Sequence, residues 1–268
     1  MGKISDALEK LGSLEGTGIV DRWEGEKDPQ LSKSPGDPSK IAIEKDTRSV
    51  ESNRNWDKRL LKAVNNGSKM IEVFDALRST VLYPPDGRAV PRSIMVASSI
   101  AQEGKSFIAA NLGVSLTRVN DTFCLLLDSN LRNPTLASSF GIQYQHGLSD
   151  YLMGQGELSE LPVETSLDKL SVLPSGAVHK RPEELLDSPR MYTFIDDLAS
   201  RYADHTIIVD SPPLLLAAES LALADQVEAI ILVVRRGRAR KSEVQQFIDA
   251  VDKRKILGTV FNDPQAMI

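Results

Sequence analysis

Apolar residues along this chain fall into two spacings, and the switch between them predicts its architecture. From Ser68 to Pro84 they recur at helical intervals, with Met70, Phe74, Leu77 and Val81 on one stripe. Ser68 is placed to cap that helix, and Pro84-Pro85 to stop it. Beyond it come short unbroken apolar runs: Ile94-Met-Val-Ala97, Phe123 to Leu127, Leu170 to Leu173, Thr206-Ile-Ile-Val209, Ala229-Ile-Ile-Leu-Val-Val234 and Ile256 to Phe261. Helical stretches predicted over 107–116, 189–202 and 242–253 lie between them. A strand that is apolar on both faces must be covered on both. Such runs alternating with helices therefore predict an α/β domain, a mostly parallel sheet with helices on either side.

The first part of the chain follows another pattern. Ile4, Ala7, Leu8 and Leu11 make a helical stripe within 3–14, about three turns and too short to be stable alone. From Glu15 the sequence is rich in Gly, Pro, Ser and charge, with no sustained apolar period, which reads as a flexible linker. The expected division is a short amphipathic segment at 1–14, a linker at 15–57 and a single domain at 58–268.

Composition narrows the function. Apolar residues make up 41% of the 268, enough for a full-sized core, and aromatics only 5%, which suits a sheet built on Ala, Leu, Ile and Val. A net charge of −5 leaves no basic excess to neutralise phosphates, so nucleic acid is not an expected partner. The single cysteine, Cys124, lies inside an apolar run and reads as a buried strand residue of a chain in a reducing compartment. His146, His179 and His205 are scattered, without metal-ligand spacing. No apolar stretch approaches the ~20 residues of a membrane span, and the opening Met1-Gly-Lys-Ile, with Asp6 and Glu9 close behind, does not read as a signal peptide. The expected location is cytoplasmic.

The chemistry concentrates after the first strand, which runs into Ser98-Ser-Ile-Ala-Gln-Glu-Gly-Lys-Ser106 and then a helix. Strand, tight turn and helix are the context of a phosphate-binding loop. Gly104 lets backbone approach a phosphate, Lys105 supplies a point charge for the β- and γ-phosphates, and Ser106 offers a hydroxyl to Mg²⁺. Ser99 stands where that motif has its first glycine. Asp128 and Asp210 each end an apolar strand, so a parallel sheet would bring both to the rim that carries the loop. Asp after a strand is also common turn chemistry; three such elements together favour a Mg-nucleotide site, with Asp210 on the metal.

These motifs resemble the bacterial tyrosine kinases, more narrowly the autokinases associated with exosortase and exopolysaccharide loci. The resemblance covers about residues 70–263. It rests on Ala97 to Ser106, Ala110-Asn-Leu112, Leu125-Leu-Leu-Asp-Ser-Asn-Leu-Arg-Asn-Pro134, Pro182-Glu-Glu-Leu-Leu186, Ser188-Pro-Arg-Met191, Ile207-Ile-Val-Asp-Ser-Pro-Pro213 and Ile256 to Asn262, with Met1 to Lys10 like the exosortase-linked subgroup. It implies a P-loop NTPase fold of the deviant Walker A type, binding ATP and Mg²⁺. Ser99, Gln102, Glu103, Gly104, Lys105, Ser106 and Phe107 would line the nucleotide, with Asn262 near the adenine. Catalysis would fall to Lys105, Asp128, Arg132 and Asp210, with Ser106, Asp128 and Asp210 as metal residues and Asp128 orienting or deprotonating the acceptor hydroxyl. The implied partners are a tyrosine-bearing protein acceptor and a membrane-anchored polysaccharide co-polymerase that activates the kinase and keeps it peripheral to the inner membrane.

The chain departs from the family pattern at three places. A Glu-x-x-Arg-x-x-Arg motif that locks subunits into a ring has become Glu72, Asp75 and Arg78, all expected on a solvated helix face, with Arg78 able to pair with Asp75. The partner of Asp128 is Asn130 instead of aspartate, and an amide accepts no proton. No tyrosine cluster closes the chain: Tyr83, Tyr144, Tyr151, Tyr192 and Tyr202 all lie earlier and read as packing residues. Two alternatives to the kinase follow, a non-catalytic or weakly active ATP-binding regulator of the same machinery and a positioning ATPase. Ile100 stands where positioning ATPases carry an extra lysine, which counts against the second.

Overall fold

In the computed structural model, residues 55–60, 68–178, 181–186, 188–216 and 219–263 are described. The N-terminal segment at 1–14 and nearly all of the linker at 15–57 lie outside them. Trp56, inside the stretch read as linker, is buried and meets the Phe140 ring edge-on at 4.7 Å.

Seven strands form one sheet: β1 (Ser93–Ala97), β2 (Phe123–Asp128), β3 (Val163–Glu164), β4 (Leu170–Leu173), β5 (His205–Asp210), β6 (Ala229–Arg235) and β7 (Ile256–Asn262), in the order β3-β4-β2-β5-β1-β6-β7. Every pairing is parallel except that of the two-residue β3 with β4, so the sheet is mostly parallel, as its unbroken apolar runs require. Cys124 and Leu126 are fully buried, and so are their neighbours Leu125 and Leu127 on the opposite face.

Among the described residues the helices are α1 (Lys69–Leu82), α2 (Lys105–Leu116), α3 (Leu136–Ser139), α4 (Leu148–Leu152), α5 (Pro182–Leu186), α6 (Pro189–Arg201), α7 (Glu219–Gln226) and α8 (Lys241–Ala250). The Ser68 hydroxyl caps α1 by accepting from the Met70 amide at 3.2 Å. The helix that follows the loop, α2, lies between α1 and the sheet and is buried along almost its whole length. A Cβ on its Gly113 would come within 2.9 Å of Leu126 on β2, so only glycine permits this approach of helix to sheet.

On α1 the expectation of a solvated face fails at two positions. Arg78 pairs with Asp75 at 2.6 Å and also donates to the carbonyl and the hydroxyl of Ser115 on α2, both at 2.9 Å. The Ser115 hydroxyl in turn donates to Asp75 at 2.9 Å. These charges knit α1 to α2 because α2 is too buried to leave the inner side of α1 in water.

Tyr83 and Tyr192 also depart from expectation, at 78% and 52% exposed. Tyr151 and Tyr202 do pack, against Phe194 at 5.4 Å and His205 at 5.2 Å.

Candidate active site

The parallel sheet fixes where its strands end, and three adjacent ends build the site. β1 leads into the loop at 98–106, β5 lies beside β1, and β2 lies beside β5. Asp128 and Asp210 are register partners on β2 and β5. Two carboxylates thus stand side by side at one rim, both fully buried. Lys105, 6% exposed in the first turn of α2, donates from Nζ to the Ser98 hydroxyl at 2.9 Å.

The two acids have different surroundings. Asp128 accepts three backbone N–H groups, from Asn130 at 3.2 Å and from Thr135 and Leu136 at 2.9 Å each. Burial still raises its pKa to about 6, against the pull of those amides. Neither oxygen of Asp210 finds a hydrogen-bond partner of good geometry, although the Ser106 hydroxyl is close enough to favour the ionised form. Burial and the neighbouring Asp128 charge push Asp210 up to about 8, with Ser106 and Lys105 opposing. Desolvation lowers the Lys105 pKa, and the charges of Asp210 and Glu103 resist it.

A buried carboxylate with no partner is costly unless something else occupies it. Asp210 beside the Ser106 hydroxyl supplies the one-carboxylate, one-hydroxyl donor set that suits a magnesium ion carrying its own phosphate and water ligands. Among the described residues no group of three His, Cys, Asp or Glu forms a self-sufficient cage. The donors present fit a metal that arrives with a nucleotide.

The loop itself is braced from β6 and β7. Buried Glu103 accepts the amides of Ile100 at 3.3 Å and Arg235 at 3.2 Å, while its carbonyl accepts from the Asn262 side chain at 2.8 Å. A Cβ on Gly104, at φ 96°, would strike Asn262 Nδ2 at 2.2 Å, so the glycine is needed for both space and backbone angle. Gln102 takes φ 63°, and its carbonyl accepts from Arg235 at 3.3 Å while its side-chain oxygen accepts from Arg238. The Ser99 hydroxyl is buried without a partner.

Lys105, Ser106, Asp128 and Asp210 are thus brought together, with Ser99, Gln102, Glu103, Gly104 and Asn262 around them. Two predicted residues stand apart. Phe107 turns toward α1, its ring 6.0 Å from that of Phe74 with the Arg59 guanidinium over it, and Arg132 is half-exposed, paired with Glu183 of α5 at 3.0 Å. Sequence reasoning missed Arg235 and Arg238, whose only signal was the basic run at 235–241. Ser98 lay inside the predicted loop but was given no role there.

No protein-family model matches the chain. CapB of Staphylococcus aureus, a putative tyrosine-protein kinase, is 27% identical over 197 residues, 73% of this chain and 85% of CapB. The tyrosine-protein kinase YwqD of Bacillus subtilis is 28% identical over 193 residues, 71% of this chain and 80% of its own. The kinase domain of the Escherichia coli tyrosine kinase ETK shares the fold at a TM-score of 0.69 and 25% identity, covering 76% of this chain and 79% of that one. The chain is thus similar in sequence to bacterial tyrosine-protein kinases and in fold to a kinase domain of that kind. Of the departures from the pattern it resembles, the one nearest the two acids is Asn130, whose amide braces Asp128 while its side chain adds no charge. The departure at Asp75 lies on α1, in the link to α2 already described.

Proposed function

We propose that this chain is a bacterial tyrosine kinase that transfers the γ-phosphoryl group of Mg-ATP to a protein tyrosine and serves exopolysaccharide or capsule assembly. The observation that carries the reading is the buried trio of Lys105, Asp128 and Asp210, in which one acid is saturated with backbone amides and the other has none.

Magnesium, when bound, would supply positive charge to the transferring phosphoryl group. Ser106 and Asp210 would hold it, Asp210 as the carboxylate, because a cation beside that group would oppose the effect of burial. Lys105 leaves the Ser98 hydroxyl for the terminal phosphates and fixes them in line with the acceptor. Asp128 orients the acceptor phenol. As the phenolic oxygen bonds to the γ-phosphorus and the bond to the ADP oxygen breaks, the phenol proton passes to Asp128. A phenol of pKa about 10 is a weak acid, and a carboxylate raised by burial is a better proton acceptor than a free one. Arg132, which matches the family's arginine, is counted among the catalytic residues by resemblance alone.

Among the described residues no helix is long and apolar enough to cross a membrane. The resemblance supplies a membrane-anchored co-polymerase as activator, a peripheral place at the inner membrane, and a protein tyrosine as acceptor. Arg78, already engaged by Asp75 and Ser115, is less free to bridge to a second copy.

The test is incubation with γ-labelled ATP, Mg²⁺ and a tyrosine-bearing acceptor, comparing the chain with Lys105→Met. Phosphotyrosine that depends on Lys105 is expected. Nucleotide binding without transfer would favour the regulator, and phosphate release alone the ATPase.

A further inference from the structure

The turn joining β6 to α8 reads Arg235-Arg-Gly-Arg-Ala-Arg-Lys241, five cations in seven residues of a chain whose net charge is −5. Arg236, Arg238, Arg240 and Lys241 are exposed. The acids facing them are few. Arg236 pairs with Asp263 at 3.0 Å, and Glu243 spends its carboxylate on the Arg240 backbone amide at 2.7 Å. Among the described residues no acid pairs with the side chains of Arg238, Arg240 or Lys241. The N-terminus of the ten-residue α8 points its positive end into the same turn.

The neighbourhood of this turn is equally distinctive. Arg235 and Arg238 hold Gln102 of the phosphate loop, and the Arg236 amide donates to the Asn262 carbonyl at 3.1 Å at the end of β7. β7 is the outermost strand on its side of the sheet, and Phe261 on it is 50% exposed. Among the described residues no strand pairs with the outer edge of β7, so cations, an apolar ring and a strand edge adjoin at one corner of the rim.

We propose that this corner docks an extended, acidic segment of a partner polypeptide. The charges select its carboxylates, Phe261 gives one apolar side chain a seat, and the free edge of β7 offers backbone pairing. That edge favours a polypeptide over a lipid surface, which has no N–H or C=O ladder to return. Charge favours it as well. Screening confines the attraction to within about 8–10 Å of the turn, so a short segment meets only the cations, whereas a broad anionic surface also meets the acidic remainder of the chain. The docking does not depend on phosphoryl transfer and can be tested without ATP.

The experiment is fluorescence anisotropy of a labelled oligoglutamate peptide containing one phenylalanine, titrated with the full chain at low and at physiological salt. Binding that weakens with salt is expected, and Arg236→Gln with Arg240→Gln and Lys241→Gln should weaken it about tenfold or more at low salt. These side chains are exposed, so the variant should keep its circular dichroism and melting temperature. Lys253→Gln with Arg254→Gln neutralises the basic cluster before β7, which already has its own acids in Asp249 and Asp252, and should leave the affinity unchanged. Equal binding by the triple variant, equal loss in the control or no binding by the wild type would each overturn the proposal. So would sedimentation with phosphatidylglycerol vesicles through the same three residues without peptide binding, which would make the corner a membrane surface.

Discussion

At the scale of single residues, the site turns on the difference between two aspartates one strand apart. Burial raises both, yet Asp128 is held by three amides and Asp210 by none. Without nucleotide, the folded-state pKa of Asp210 lies above that of an unfolded carboxylate. The folded chain then keeps a proton that the unfolded chain releases, so stability is greatest below the usual carboxylate range and declines as pH rises toward about 8. Asp128 contributes with the same sign and a window that closes at about 6. The melting temperature of the nucleotide-free chain should therefore fall across this interval, and Asp210→Asn should flatten the part between about 6 and about 8. Thermal denaturation against pH reads both. Asn130→Asp, which restores a charge beside Asp128, should raise the rate of tyrosine phosphorylation; an unchanged rate would remove Asn130 from the account. Lys105, Asp128 and Asp210 were legible in the sequence because each sits at the end of an apolar run or in a Gly-Lys-Ser turn. The brace from Arg235 and Asn262 to Glu103 was not, because it joins residues more than a hundred apart and each bond has a backbone group at one end, which carries no sequence signature.

At the scale of elements, hydrophobic period decided what could be read. The six long strands and the helices α1, α2, α6 and α8 follow from it to within a few residues at their ends. The short helices α3, α4 and α5 span too few turns to show a period, and the two-residue β3 is shorter than any alternation. The helix at 219–226 holds its apolar residues in one block, Leu221 to Ala224, between polar ends, too short to show a helical period. The misread face of α1 has a different cause. Asp75 and Arg78 look solvated in sequence, and only the burial of α2 makes Ser115 their partner. Arg78→Ala removes donors to the Ser115 carbonyl and hydroxyl and leaves Asp75 without its ion pair, for a loss of about 1–3 kcal/mol. A chemical denaturation midpoint lowered at an unchanged slope would show it. A surface pair alone would cost about 0.3 kcal/mol, a difference large enough to distinguish the two pictures.

At the scale of the whole molecule, strand order turns scattered residues into a site. Placing β5 between β1 and β2 brings Asp210 beside both the phosphate loop and Asp128, and β6 and β7 close on that loop from the other side. Sequence alone predicted a parallel sheet but not this order, since the central strands β1, β2, β5 and β6 are apolar on both faces and none declares its neighbours. Trp56 shows the same limit at the start of the domain, where a single aromatic in a polar stretch packs against Phe140. The central claim is that Lys105, Asp128 and Asp210 surround one magnesium-bound triphosphate. Its most direct test is a crystal structure of the chain with Mg²⁺ and a non-hydrolysable ATP analogue. The account predicts the metal between the Ser106 hydroxyl and Asp210, directly or through water, Lys105 moved from Ser98 to the γ-phosphate, and Asp128 facing that phosphate. A triphosphate bound away from residues 98–106, or magnesium held with no link to Asp210, would contradict it.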